Sequence, residues 1–153
     1  MPIRKAVPAD LPDIQRLYKY LFADMAALQP DYIRAASQDE AFILSVIREE
    51  PSDILLACEE GKTLGFALVQ LQRTPPYTCM VPHTYAYLTD LAVEPAARGR
   101  GLGRALLDAV KGWGRERGAD YVELQVLRQN HGALRLYERE GFQDEMHTLR
   151  CPL

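Results

Sequence analysis

The stretch Leu91-Ala92-Val93-Glu94-Pro95-Ala96-Ala97-Arg98-Gly99-Arg100-Gly101-Leu102-Gly103-Arg104-Ala105-Leu106-Leu107 decides the fold. The apolar residues up to Val93 read as the end of a buried strand, and Pro95 breaks it. Leu106, Leu107 and Val110 then carry a helical stripe. Three glycines stand where strand hands over to helix. Glycine lets the backbone approach a ligand closely, because no β-carbon intervenes. Unpaired N–H groups at a helix start, with the helix dipole, attract phosphate. Arg98, Arg100 and Arg104 add positive charge for further phosphate groups. Spacing excludes two other glycine loops. A dinucleotide fingerprint needs Gly at 104, where Arg stands, and a nucleoside-triphosphate loop needs Lys-Ser/Thr after Gly103. The alternative is a plain turn with spare glycines.

A second stretch reads Leu124-Gln125-Val126-Leu127-Arg128-Gln129-Asn130-His131-Gly132-Ala133-Leu134-Arg135-Leu136-Tyr137-Glu138-Arg139-Glu140-Gly141-Phe142. Asn130 suits a helix N-cap, and Gly141 suits a left-handed C-terminal position. Tyr137 shares a helical face with Ala133 and Leu134, so packing alone also accounts for it.

Outward from these two segments, the spacing predicts a short strand at 3–6 and a helix after Asp10 as N-cap. Leu11, Ile14, Leu17, Tyr18 and Leu21 form that helix's apolar face. A loop follows over 29–37, then a helix over 41–49. Strands at 53–59 and 64–71 flank Glu59-Glu60-Gly61-Lys62, a hairpin signal. Pro75 and Pro76 mark an irregular connection before a strand over 84–93. A helix over about 101–117, a strand over 121–126, a helix over 130–140 and a final strand over 142–149 complete the chain. The order β-α-α-β-β-β-α-β-α-β implies an α/β (α+β) fold, a mixed sheet flanked by helices, in a single domain over 1–153.

Composition bounds the function. The chain has 153 residues and a formal net charge of −3, which argues against nucleic-acid binding through a basic face. The run from 98 to 117 is locally basic, with six Lys or Arg against two acidic residues. Cys58, Cys79 and Cys151 fit neither a metal spacing nor a disulfide framework, so reduced thiols and a cytoplasmic location are expected. The start 1–8 lacks the apolar core of a signal peptide, and no run reaches membrane-spanning length.

Taken together, the two segments resemble the GNAT superfamily of N-acetyltransferases. The resemblance rests on R-x-x-G-x-G at Arg98, Gly101 and Gly103 after a strand ending L-x-V. It rests equally on N-x-x-A-x-x-L-Y-E-x-x-G-F from Asn130 to Phe142. It implies a mixed, mostly antiparallel sheet of six to seven strands flanked by four helices, acetyl-CoA as co-substrate and no metal. Main-chain groups of Leu91, Ala92 and Val93 would hold the pantetheine arm. The amides of Arg98, Gly99, Arg100, Gly101, Leu102, Gly103 and Arg104 would cradle the pyrophosphate. Asn130 would contact the cofactor, and Tyr137 would be the acid for the departing thiolate.

The expected function is acetyl transfer from acetyl-CoA to a primary amine by direct attack on the thioester. The alternative is an acetyl-CoA sensor of the same fold without catalysis. An alkylammonium near pKa 10 must lose a proton before it attacks. Asp90, just before Leu91, is the candidate base or ammonium binder; the alternative is a carboxylate satisfied by backbone at a strand bulge. His83 is a second candidate. The backbone N–H of Leu91 is the candidate oxyanion donor. Tyr85 and Tyr87 share one strand face and are candidate acceptor-binding residues, though strand propensity alone also places tyrosines there. Segments 22–38 and 73–83 are expected at the acceptor entrance, with Asp24, Asp31 and Asp39 favouring a cation. The acceptor is expected to be a small molecule or peptide amine, with no nucleic-acid or membrane partner, and the chain a monomer or homodimer.

Overall fold

A computed structural model describes residues 2–153. Its sheet has five strands: β1 (Ile3–Lys5), β2 (Ser52–Glu59), β3 (Lys62–Arg73), β4 (Thr84–Val93) and β5 (Tyr121–Leu124). Four helices accompany them: α1 (Leu11–Leu28), α2 (Glu40–Arg48), α3 (Leu102–Glu116) and α4 (His131–Arg139). Strand order follows the chain, β1-β2-β3-β4-β5, antiparallel throughout except the parallel β4–β5 pair. That pair is parallel because α3 carries the chain back across the sheet.

Alternation along β2 and β3 feeds two cores. Leu55, Ala57, Ala67 and Val69, with Ala86 and Leu88 of β4, face Leu102, Leu106, Leu107, Val110 and Trp113 of α3. Ile54, Leu56, Phe66 and Leu68 face Ile14, Leu17 and Tyr18 of α1 and Ile43 and Val46 of α2. The hairpin predicted at 59–62 forms, with positive φ at Glu60 and Gly61. Below α3, Asp53 accepts the Trp113 indole N–H at 2.8 Å and Arg117 at 3.4 Å, which pins the helix to β2.

Two expectations are corrected. The sheet has five strands, not six to seven, because 142–149 forms no strand. That segment offers little apolar surface to offset the entropy of ordering, and Met146 and Leu149 are both exposed. Asp10 is not a side-chain N-cap. It lies in the short 3₁₀ turn Pro8–Asp10, where its carboxylate takes Arg4 in a two-point ion pair and the Val7 N–H at 2.8 Å. Helix α1 runs to Leu28, where the predicted loop over 29–37 begins. Among the described residues, no helix is long and apolar enough to cross a membrane.

Candidate functional site

The site begins where β4 and β5 part. Their pairing runs from Tyr85↔Tyr121 to Leu88↔Leu124 and stops. Strand β4 continues to Val93, still paired with β3 on its other side. Beyond Leu88, one edge of β4 therefore faces no strand. A bulge sits at this point: Leu88 lies opposite Val69 and Asp90 opposite Leu68, leaving Thr89 as the extra residue. Bulges re-aim side chains, and this one turns Asp90 towards α1.

There the Tyr18 hydroxyl donates to Asp90 Oδ2 at 2.5 Å. Tyr18 is fully buried, with its ring centroid 4.7 Å from that of Phe66 and 5.2 Å from that of Phe22. Burial pushes the Asp90 carboxyl above its ordinary range, and the Tyr18 bond opposes that shift. Burial, then the Asp90 charge, pushes the Tyr18 phenol far up. Asp90 is half-buried.

Tyr137 stands on α4, partly buried against the α3 core. The Asn130 side chain accepts the Ala133 N–H at 3.2 Å, which is the predicted N-cap. At the other end Gly141 has φ +93, and the Phe142 N–H bonds the Tyr137 carbonyl at 2.9 Å. Phe142 packs against the Tyr137 ring at 5.6 Å. Burial, with a smaller contribution from the Asp90 charge, pushes the Tyr137 phenol up to about 12. The charge of one residue that the sequence assigned to catalysis is thus felt at the other.

The glycine loop follows β4 through the turn Pro95–Ala97. Gly99 and Gly101 have φ of +77 and +82, and a β-carbon on either would meet no atom within 4 Å. Gly101 is the N-cap of α3, whose first N–H groups have no intrahelical acceptor. Open space before main-chain donors fits a CoA diphosphate. Gly103 differs, since a β-carbon there would lie 3.0 Å from Leu136 Cδ2; it allows α3 and α4 to pack closely.

The arginines have partners within the chain. Arg98 bonds the Val93 carbonyl at 3.1 Å and Asp24 at 2.8 Å, so it braces the end of β4 against α1. Arg100 pairs with Glu59, and Arg104 approaches Glu140 at 3.4 Å. Asp24, expected to favour a cationic acceptor, is thus engaged by Arg98.

On the acceptor side, Tyr85 and Tyr87 share a sheet face, as the alternation predicts. Tyr121 and Glu123 of β5 stand opposite them in register. The Tyr85 and Tyr121 rings stack at 5.1 Å, with planes 7° apart. His83 bonds Asp120 at 2.8 Å. Seven residues of strand separate it from Asp90, roughly 20 Å, which removes it as a base for the same proton. Sequence reasoning missed Tyr18, Tyr121 and Glu123. A buried tyrosine needs a hydroxyl partner, the one signal that pointed to Tyr18. Among the described residues, no cluster of His, Cys, Asp and Glu is placed to hold a metal.

A parting sheet, a glycine-capped helix and a carboxylate–phenol pair define the layout of a CoA-dependent acyltransferase. A model of the Acetyltransferase (GNAT) family matches residues 14–142. The chain belongs to that family. It is 33% identical over 132 residues to the uncharacterized N-acetyltransferase YhfO of Bacillus subtilis, covering 80% of this chain and 86% of that one. It is 38% identical over 95 residues to the N-alpha-acetyltransferase RimI of Mycobacterium tuberculosis, covering 61% and 54%. Among solved structures, a mutant of the BH1408 protein of Bacillus halodurans superposes with a TM-score of 0.96 at 26% identity, covering 100% of this chain and 99% of that one. The aminoglycoside N-acetyltransferase AAC(6')-Iy, solved with CoA, shares the fold at a TM-score of 0.73 and 21% identity, covering 99% and 98%.

Proposed function

We propose that the chain transfers an acetyl group from acetyl-CoA to a primary amine by direct attack of the amine on the thioester. The observation that carries this reading is the parting of β4 and β5 at Asp90 beside the glycine-capped start of α3, and the reach of the Asp90 charge to the Tyr137 phenol supports it. Acetyl-CoA supplies an activated acetyl thioester. The amides of residues 98–104 would hold its diphosphate, and Asn130 and the outer edge of β4 at Leu91 and Val93 would border its pantetheine arm. The Val93 carbonyl is already engaged by Arg98, which leaves Leu91 as the main hydrogen-bonding position there. Its N–H is the donor assigned to the acetyl carbonyl oxygen.

Asp90 receives the proton of the acceptor ammonium. Its Oδ2 is occupied by Tyr18, so Oδ1 is the atom offered to the amine. Tyr137 donates a hydrogen bond to the departing sulfur. At about 12 its phenol is a weaker acid than a thiol near 8.5, by about 5 kcal/mol of proton-transfer free energy. Full transfer is therefore uphill while Asp90 is charged. Protonating Asp90 removes the charge that helps hold the phenol's pKa up, so accepting the amine proton makes Tyr137 a better donor. The two roles are thereby ordered in time.

The test is thiol release from acetyl-CoA across polyamines, amino acids, aminoglycosides and peptide N-termini. Turnover on at least one class supports the reading. Saturable acetyl-CoA binding with no turnover on any class would favour a sensor instead.

A further inference from the structure

Strands β4 and β5 present a second feature on the face opposite α3. Ala86 and Leu88 point into the α3 core, so Tyr85 and Tyr87 point to the other side. In register with them, Tyr121 and Glu123 stand on the neighbouring strand. The bulge brings Asp90 to this same face, opposite Leu68 of the α1 core. The result is an aromatic strip carrying two carboxylates. Asp90 stands at the catalytic end, Glu123 is level with Tyr87 one strand away, and the Tyr85 and Tyr121 rings lie beyond Glu123.

Helices α1 and α2 leave this face of β5 uncovered. Glu123 is exposed, and Tyr121 is 38% exposed. Among the described residues, no Lys, Arg or His forms an ion pair with Glu123 or with Asp90. The Glu123 charge nevertheless reaches all three phenols, pushing each up in addition to burial. Two carboxylates without cations, flanked by electron-rich rings, form a surface complementary to two positive charges joined by an apolar chain.

We infer that the acceptor is a dication, an aliphatic diamine or polyamine whose reacting amine lies at Asp90 and whose second ammonium lies at Glu123. This rests on the acetyl-transfer reading above. Strand β3 serves as the ruler. Asp90 sits opposite Leu68 and Tyr87 opposite Gln70, and Glu123 is one strand beyond Tyr87. Two residues of rise and one strand spacing separate the Asp90 and Glu123 backbones by roughly 8 Å. An extended chain of about four to six methylenes matches that distance at slightly over 1 Å of reach per bond. Its methylenes lie against the phenol rings, where cation–π attraction adds to the carboxylate contact.

The experiment compares kcat/KM for 1,5-diaminopentane and pentylamine in the wild type, Glu123→Gln and Glu123→Arg. The readout is the diamine-to-monoamine ratio, which cancels any general loss. The wild type is expected to prefer the diamine by about tenfold, mainly through KM, the effect of one partly shielded charge contact. Glu123→Gln brings the ratio towards unity, and Glu123→Arg takes it below unity. A wild-type ratio near one, or a ratio unchanged in both variants, overturns the inference while pentylamine turnover leaves acetyl transfer standing. Calorimetric binding of 1,5-diaminopentane to the CoA-saturated protein separates the two readings. If neither amine turns over, acetyl transfer fails for these acceptors; Glu123-dependent heat still supports the strip, and equal heat in wild type and Glu123→Gln overturns it.

Discussion

The hydroxyl of Tyr18, buried in α1, donates at 2.5 Å to Oδ2 of Asp90, which the β4 bulge turns towards it. The bond fixes the carboxylate's rotation and leaves Oδ1 out of it. It also stabilises the charged form and so works against burial, which raises the Asp90 pKa. Tyr18→Phe removes that opposition. The Asp90 pKa then rises further, and at any pH on the acid side less of the protein holds an ionised base. The acid limb of kcat/KM against pH is expected to move up by about one pH unit, the order of a lost hydrogen bond to a charge. Activity at alkaline pH should be affected least. A uniform drop at every pH would mean that Tyr18 only packs.

Gly101 and Gly103 are expected to fail differently when substituted. At Gly101 a side chain meets no atom but must adopt φ +82, a cost of about 1 kcal/mol placed at the capped end of α3. Gly101→Val should therefore weaken CoA binding with little effect on turnover at saturation. At Gly103 a β-carbon presses on Leu136, one residue before Tyr137. Gly103→Val should lower kcat more than it weakens CoA binding. Calorimetry with CoA and a saturation curve for each variant measure both effects.

Asp53 provides a contrast, a buried carboxylate with a structural role. It holds Trp113 at 2.8 Å, with Arg117 and Lys5 at 3.4 and 3.5 Å. Asp53→Ala leaves the Trp113 N–H unpaired and Arg117 without its buried partner. A loss of about 2–4 kcal/mol follows, or roughly 5–12 °C in Tm for a chain of this size. CoA affinity below the transition should be unchanged; a large loss of affinity would place Asp53 in the site.

Much of this arrangement is legible in the sequence because it is local. Asn130 as cap, Gly141 as helix stop, the 59–62 turn and the Gly101 helix start each depend on a few adjacent residues and their backbone preferences. What is not legible depends on register. The Thr89 bulge has no composition signal, yet it decides that Asp90 faces Tyr18. Glu123 meets Tyr87 only through a parallel pairing set by the length of α3. Arg98 reads as a phosphate-binding cation in sequence, whereas the fold places it beside Asp24. The strand expected at 142–149 has no partner: apart from Phe142, Met146 and Leu149 its residues are polar, and no strand of the described sheet pairs with them.

The central claim is that a phenol on α4 and a carboxylate on β4 act on one bound thioester. It is tested most directly by the pre-steady-state rate of thiol release in Tyr137→Phe, with acetyl-CoA affinity measured on the same preparation. The account predicts a rate lower by about 10²-fold, with acetyl-CoA affinity within about twofold of wild type, since the Phe ring keeps the packing against Phe142. An unchanged release rate would contradict it and reduce Tyr137 to a packing residue.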